Sequence, residues 1–185
     1  MRPALRVGLA AFALWLGACA APAPPPERSY SGRFSALAVG AERSESVSGL
    51  FTLEVRGTQQ RIDLATPVGN TVARIEISPG QATATGPQLQ SASGPDAERL
   101  LEELLGWRLP VAGLADWIDG RPAPDRPAKT LHDDGRISEI VQDGWTIRIA
   151  EYSPATQRPR RLVLDRPPAN GGPALSVRLI VDDPN

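Results

Sequence analysis

The only thiol in this 185-residue chain is Cys19, and it follows Leu16-Gly17-Ala18, one aliphatic residue and two small ones. A thiolate is a nucleophile that can be alkylated, and small residues ahead of it let an extended backbone enter a peptidase site. With no second cysteine there can be no intramolecular disulfide. An unpaired thiol in an exported chain is unusual unless a modification consumes it. The only histidine is His132, beside Asp133-Asp134-Gly135, a composition that marks an exposed turn. No Gly-x-Ser-x-Gly occurs, and no His/Cys/Asp group has metal-ligand spacing. Asp133 and Asp134 read as solvated turn residues, and Glu102 and Glu103 as the wet side of a helix. We therefore expect no catalytic residue, no metal and no cofactor.

The segment that would deliver Cys19 to a modifying enzyme is visible upstream. Arg2 and Arg6 make a short positive region, and residues 7–16 form an almost unbroken apolar run. About ten residues are too few to span a bilayer, which needs roughly twenty, but they suit the apolar part of a signal peptide. The run 16–19 resembles the lipobox of bacterial lipoproteins, in which the cysteine takes a diacylglycerol. We expect residues 1–18 to be a removable signal peptide and 19–29 a lipidated, proline-rich tether. Residues 30–185 would be one domain, long enough for a real core. Removing the signal takes two arginines away and moves the formal charge from −1 to −3. No basic cluster with interleaved aromatics suggests nucleic acid, and no later run is long enough to cross a membrane. In enterobacterial lipoproteins an aspartate after the cysteine marks inner-membrane retention. Ala20 stands there instead, which points to the outer membrane. The prolines between 20 and 29 favour an extended, semi-rigid tether of roughly 30 Å, at about 3.1 Å per residue.

The domain itself is dominated by alternation. In 47–55 the odd positions include Val47, Phe51, Leu53 and Val55, between Ser48, Thr52 and Glu54. Similar half-buried strands are expected at 60–64, 71–77, 145–149, 161–165 and 175–181, with weaker ones at 32–39, 81–85 and 136–141. Pro79-Gly80, Asp133-Asp134-Gly135 and Asp143-Gly144 stand between them as turn residues. Short links between alternating strands predict an antiparallel meander with one wet and one apolar face. The middle differs. Leu100, Leu101, Leu104 and Leu105 share one face of a helix over 96–105, and Val111, Leu114, Trp117 and Ile118 share one face of a second helix from 110 or 111 to 119. A loop with Pro122, Pro124 and Pro127 follows. The predicted fold is mainly β with inserted helices (α+β), an incomplete antiparallel β-barrel with a helical lid over an apolar cavity. The apolar phase of each element assigns Phe51, Leu53, Leu64, Ile75, Leu104, Trp117, Trp145 and Ile147 to that cavity.

Several segments resemble the LolB family. These are 32–34 (Gly-Arg-Phe), the strand-turn-strand 62–73 around Pro67-Val68-Gly69, the run from Leu104 through Trp107, Trp117 and Gly120 to Pro122, and Gln142-Asp143-Gly144-Trp145 with Tyr152 after it. Their order matches over nearly all of 32–181. The resemblance implies an outer-membrane receptor that accepts lipoproteins from the periplasmic chaperone LolA, binds their acyl chains in the apolar interior and inserts them into the outer membrane. It implies a membrane-insertion loop, here Pro67, Val68 and Gly69, with Val68 where the family often has leucine. A tryptophan often seen near the family's C-terminus is missing after Val181. The expected partners are LolA, lipoprotein acyl chains and outer-membrane lipid, the expected state is a monomer, and the expected place is the outer membrane with the domain facing the periplasm. Acyl chains cost about 0.8 kcal/mol per methylene to expose to water. Without periplasmic ATP, transfer must therefore run downhill in affinity. Two other readings use the same features: an assembly lipoprotein that binds another protein, and a lipocalin-like carrier of small apolar ligands.

Overall fold

The computed structural model describes residues 25–87, 89–105, 108–169 and 171–184. The expected signal peptide, Cys19, most of the tether and Trp107 lie outside the described residues. The first strand begins at Arg28, two residues before the domain boundary expected at Tyr30.

Six strands come first: β1 (Arg28–Val39), β2 (Ser44–Arg56), β3 (Gln59–Ala65), β4 (Thr71–Ser78), β5 (Gln81–Gly86) and β6 (Leu89–Gly94). Two helices follow, α1 (Ala97–Leu105) and α2 (Leu114–Ile118), and then β7 (Ala128–Asp133), β8 (Arg136–Gln142), β9 (Trp145–Tyr152), β10 (Pro159–Arg166) and β11 (Ala174–Val181). All pair antiparallel in one eleven-stranded sheet of order β6-β5-β4-β3-β2-β1-β11-β10-β9-β8-β7. Each half is a meander, and the two halves are stitched where β1 meets β11, from Gly32↔Val181 to Val39↔Ala174. The edge strands β6 and β7 do not pair with each other, so the barrel is incomplete. The chain between those two edges carries both helices.

The inner face is built by the alternation the sequence predicts. In β11, Leu175, Val177, Leu179 and Val181 are buried while Arg178 is exposed. Rungs of apolar side chains run across the strands. One is Leu53↔Ile62↔Ile75↔Ala84, and another is Ile140↔Ile147↔Leu164↔Val177↔Ala36. Each such residue gains roughly 1.5–3 kcal/mol from leaving water. Two-residue turns at Asp134-Gly135 (φ 48° and 77°) and Asp143-Gly144 (φ 53° and 78°) set the registers of β7–β8 and β8–β9. Their positive φ values give the hand that matches strand twist.

Two strands are not legible as alternation, and both are edges. In β7 every residue but Thr130 is exposed, and Leu131 is 61% exposed, so there is no buried face to write a period of two. In β6 the run is Leu-Gln-Ser-Ala-Ser-Gly, too small and polar to register. The second helix is shorter than the expected 110/111–119. The Val111 N–H donates to the Leu109 carbonyl two residues back, a tight turn, and helical hydrogen bonds begin only at Gly113. There the Trp117 indole lies so close that a Cβ on residue 113 would fall 2.6 Å from the ring. Glycine is required by that approach.

Candidate functional site

The eight residues assigned to the interior are brought together. Phe51, Leu53, Ile75, Trp117, Trp145 and Ile147 are buried, and Leu64 and Leu104 are half-buried against the same cluster. Leu100 and Leu101 close it from α1, and Leu114 and Ile118 from α2. Trp117, Trp145 and Ile147 have no surface that a water-sized sphere can reach. In this conformation these side chains are core, packed against one another, and an acyl chain would enter only after they part. Among the described residues, open clefts lie away from this cluster. One of about 360 Å³ is lined by Glu54, Arg56, Arg61 and Glu76 and is polar. Another of about 460 Å³ lies at strand ends near Tyr30, Pro159 and Asp182.

The lid is fastened at α2 by polar groups. Gln142 points inward from β8 and is 2% exposed. Its Oε1 accepts from Trp117 Nε1–H at 2.8 Å and from the Ala123 N–H at 2.9 Å. Its Nε2 donates to the Ala123 carbonyl at 2.9 Å and the Arg126 carbonyl at 3.2 Å. All four amide positions are used, so one side chain ties the helix and the proline-rich loop to the sheet. On the other side of α2, Asp119 accepts from Tyr30 O–H at 2.7 Å and pairs with Arg28 at 3.0 Å. Asp116 pairs with Arg28 at 3.2 Å and with Arg121 at 2.7 Å. Burial, with the Asp119 hydrogen bond added, pushes the Tyr30 phenol up to about 12. Sequence reasoning missed this set. The one available signal was Gln142 itself, a polar residue on the phase of the buried Ile140.

The loop 66–70 has its own framework. The Thr66 N–H donates to the Asn70 carbonyl at 2.9 Å, the Gly69 N–H to the Thr66 carbonyl at 2.8 Å, and the Asn70 N–H to Thr66 Oγ1 at 3.2 Å. Gly69 takes φ 92°, closed to other residues. Val68 is left 83% exposed at the tip, with Val72, 43% exposed, just beyond. Val72 was not singled out from sequence, since alternation alone places it on a wet face.

His132 is exposed at the end of β7. No group of three His, Cys, Asp or Glu that could hold a metal is found among the described residues. None of the described helices is long and apolar enough to cross a membrane.

The family model described as "Outer membrane lipoprotein LolB" matches residues 27–183. The chain belongs to the LolB family. Proteins named Outer-membrane lipoprotein LolB are similar throughout. That of Cupriavidus pinatubonensis is 43% identical over 91% of this chain and 89% of its own. That of Bordetella petrii is 41% identical over 97% and 92%, and that of Thiobacillus denitrificans 40% over 94% of each. A solved LolA-superfamily protein of Nitrosomonas europaea aligns with a TM-score of 0.49 at 10% identity, over 85% of this chain and 86% of that one. The incomplete antiparallel barrel with its helices is thus the fold in which a LolB-family chain holds its apolar inner face, and the family places the protein at the outer membrane.

Proposed function

We propose that this chain is the outer-membrane receptor that takes lipoproteins from the periplasmic chaperone LolA and passes them to the membrane. It is anchored by lipid on Cys19, faces the periplasm and works as a monomer. Family membership over 27–183 carries the reading. The structure supports it with an open sheet whose inner face is apolar apart from groups such as Gln142 and is packed against two helices. Acyl chains enter between sheet and helices, replacing contacts among Phe51, Leu53, Leu64, Ile75, Leu104, Trp117, Trp145 and Ile147. Exchanging one apolar surface for another keeps the balance of the step near zero, so small affinity differences set its direction. Val68 then meets the bilayer. Burying one valine gains only about 1.5 kcal/mol, too little to anchor the domain but enough to disturb lipid packing locally.

The test is transfer. The Cys19→Ala chain, mixed with a LolA–lipoprotein complex, should strip the lipoprotein from LolA and hold it in solution. Depletion in the cell should leave outer-membrane lipoproteins in the periplasm. An assembly lipoprotein would do neither. A lipocalin-like carrier would bind a free apolar probe but take nothing from LolA.

A further inference from the structure

Among the described residues, the apolar inner face carries a buried donor without a partner. Trp145 is fully buried, and its Nε1–H has no acceptor among those residues. Buried N–H groups without partners are rare, and each calls for an explanation. The neighbouring indole shows that this core can satisfy one, since Trp117 donates to Gln142 at 2.8 Å. Gln142 cannot also serve Trp145, because its oxygen already accepts two N–H groups and its nitrogen already donates twice. The Arg166 guanidinium sits 5.9 Å from the centre of the Trp145 ring. That contact uses the π face and leaves the N–H free. Position matters as well. Trp145 is the first residue of β9, beside the Asp143-Gly144 turn. The donor therefore stands at one end of the inner face. Beyond it come the apolar pairs Ile147↔Leu164 and Ile149↔Leu162.

We propose that Trp145 Nε1–H is the hydrogen-bond donor for the carbonyl at the head of a bound acyl chain, an ester or amide of a lipidated cysteine. The inference rests on the acyl-binding reading above. A hydrocarbon chain has no acceptor along its length, and the first polar atom at its head is that carbonyl oxygen. An indole N–H only donates and a carbonyl only accepts, so the two are matched. The bond sets the depth of insertion: the carbonyl stops at Trp145 and the methylenes run on along Ile147, Leu164, Ile149 and Leu162. It also makes the site prefer acyl groups to bare hydrocarbon.

The experiment uses a matched pair of ligands, monopalmitoylglycerol and its ether analogue monohexadecylglycerol, which has the same head and chain but no carbonyl. Each displaces a hydrophobic fluorescent probe from the Cys19→Ala chain. We expect the ester to bind about tenfold more tightly than the ether, one hydrogen bond of about 1.4 kcal/mol. Trp145→Phe keeps an aromatic ring, a smaller one, and removes the donor, and it should abolish the ester's advantage over the ether whatever it does to the binding of both. The Trp145 indole N–H resonance, assigned by through-bond experiments on the unsubstituted ring, should shift downfield with ester and not with ether, a readout that needs no folded variant. Equal binding of ester and ether by the unmodified site would overturn the proposal, as would a preference that survives Trp145→Phe. Should neither ligand displace the probe while LolA-dependent transfer proceeds, the carbonyl assignment is wrong and the receptor reading stands. If transfer fails as well, both fall.

Discussion

The two helices cover the same sheet but are held to it by different forces. The shorter, α2, has five residues, yet it is tied by Gln142 on one side and by the Asp116, Asp119, Arg28, Arg121 and Tyr30 group on the other. The longer, α1, has nine. It lies against β5 and β6 through apolar residues such as Leu100 and Leu101. Its charged pair Arg99–Glu103 points into water. Hydrogen bonds and ion pairs are directional, and a half-broken buried set is worse than none. Apolar contacts have no such geometry, and a helix can slide over them or exchange them for a ligand. The part of the lid that gives way more readily is therefore the α1 side, resting on the β6 edge, while α2 stays tied in place. Amide hydrogen exchange should find α1 opening more often than α2, despite its greater length.

The largest effect expected is at Gln142. Gln142→Ala strands Trp117 Nε1–H and the Ala123 N–H and carbonyl in a dry interior, at roughly 1–3 kcal/mol for each group left unsatisfied. Partial relaxation should leave a net loss of about 3 kcal/mol in a denaturant melt, and α2 should then exchange like α1. A loss below about 1 kcal/mol would mean the amide does not hold the lid. Next is Asp119→Ala, which removes the hydrogen bond from Tyr30 and partly exposed ion pairs with Arg28 and Arg121, for about 1–2 kcal/mol. The same cluster gives a pH signature. Tyr30 is held at about 12 against an ordinary 10.0, so the folded state keeps the phenol proton more tightly than the unfolded state does. That stability is complete below pH 10 and is lost as the pH rises towards 12. Melting temperatures should fall between pH 10 and pH 12, and Tyr30→Phe should flatten the slope. Burial also pushes the Tyr152 phenol up, so Tyr30→Phe should reduce the slope and not abolish it.

This division explains what could be read in advance. Nine strands and the apolar face of α1 were legible because burial on one side writes a period into the sequence. Leu53, Ile75, Trp145 and Ile147 fell on the correct face for that reason. The edge strands β6 and β7 have little to bury and so left no period. The α2 network was hidden because its members come from distant parts of the chain: Arg28 and Tyr30 from β1, Asp116 and Asp119 from the helix, Gln142 from β8. Carboxylates on a short helix look the same in sequence whether they face water or a half-buried arginine. The loop at Val68 was legible because it depends only on its own neighbours, Pro67 and Gly69.

On α1, smaller effects are expected. Asp96 Oδ1 accepts from the backbone N–H groups of Glu98 at 2.9 Å and Arg99 at 3.0 Å, an N-terminal cap. Asp96→Ala should cost about 1 kcal/mol and should speed exchange in α1 while leaving α2 unchanged. Arg99→Ala breaks an exposed i,i+4 pair with Glu103 and should change stability by less than about 0.5 kcal/mol. If Arg99→Ala proved as harmful as Asp119→Ala, the contrast between the two helices would be wrong.

The smallest effect on stability belongs to Val68→Glu, and that is what makes it informative. Val68 is 83% exposed, and the turn beneath it is held by backbone bonds of Thr66, Gly69 and Asn70 and by Thr66 Oγ1. None of these involves the Val68 side chain, so a carboxylate there has nothing to break. The melt should be unchanged within about 0.5 kcal/mol. Transfer from LolA should also persist, because the lid and inner face are untouched. Incorporation of the lipoprotein into liposomes is the step that should fail, since a charge resists the interfacial region that a valine enters at no cost. A two-stage assay separates the outcomes. Acceptance intact with incorporation lost assigns the loop to membrane insertion. Loss of acceptance would assign it instead to docking of the chaperone, and normal incorporation would leave Val68 with no role in transfer. Val68→Leu sharpens the result: with a larger apolar side chain on the same unchanged turn, incorporation should rise modestly while acceptance and stability stay where they were.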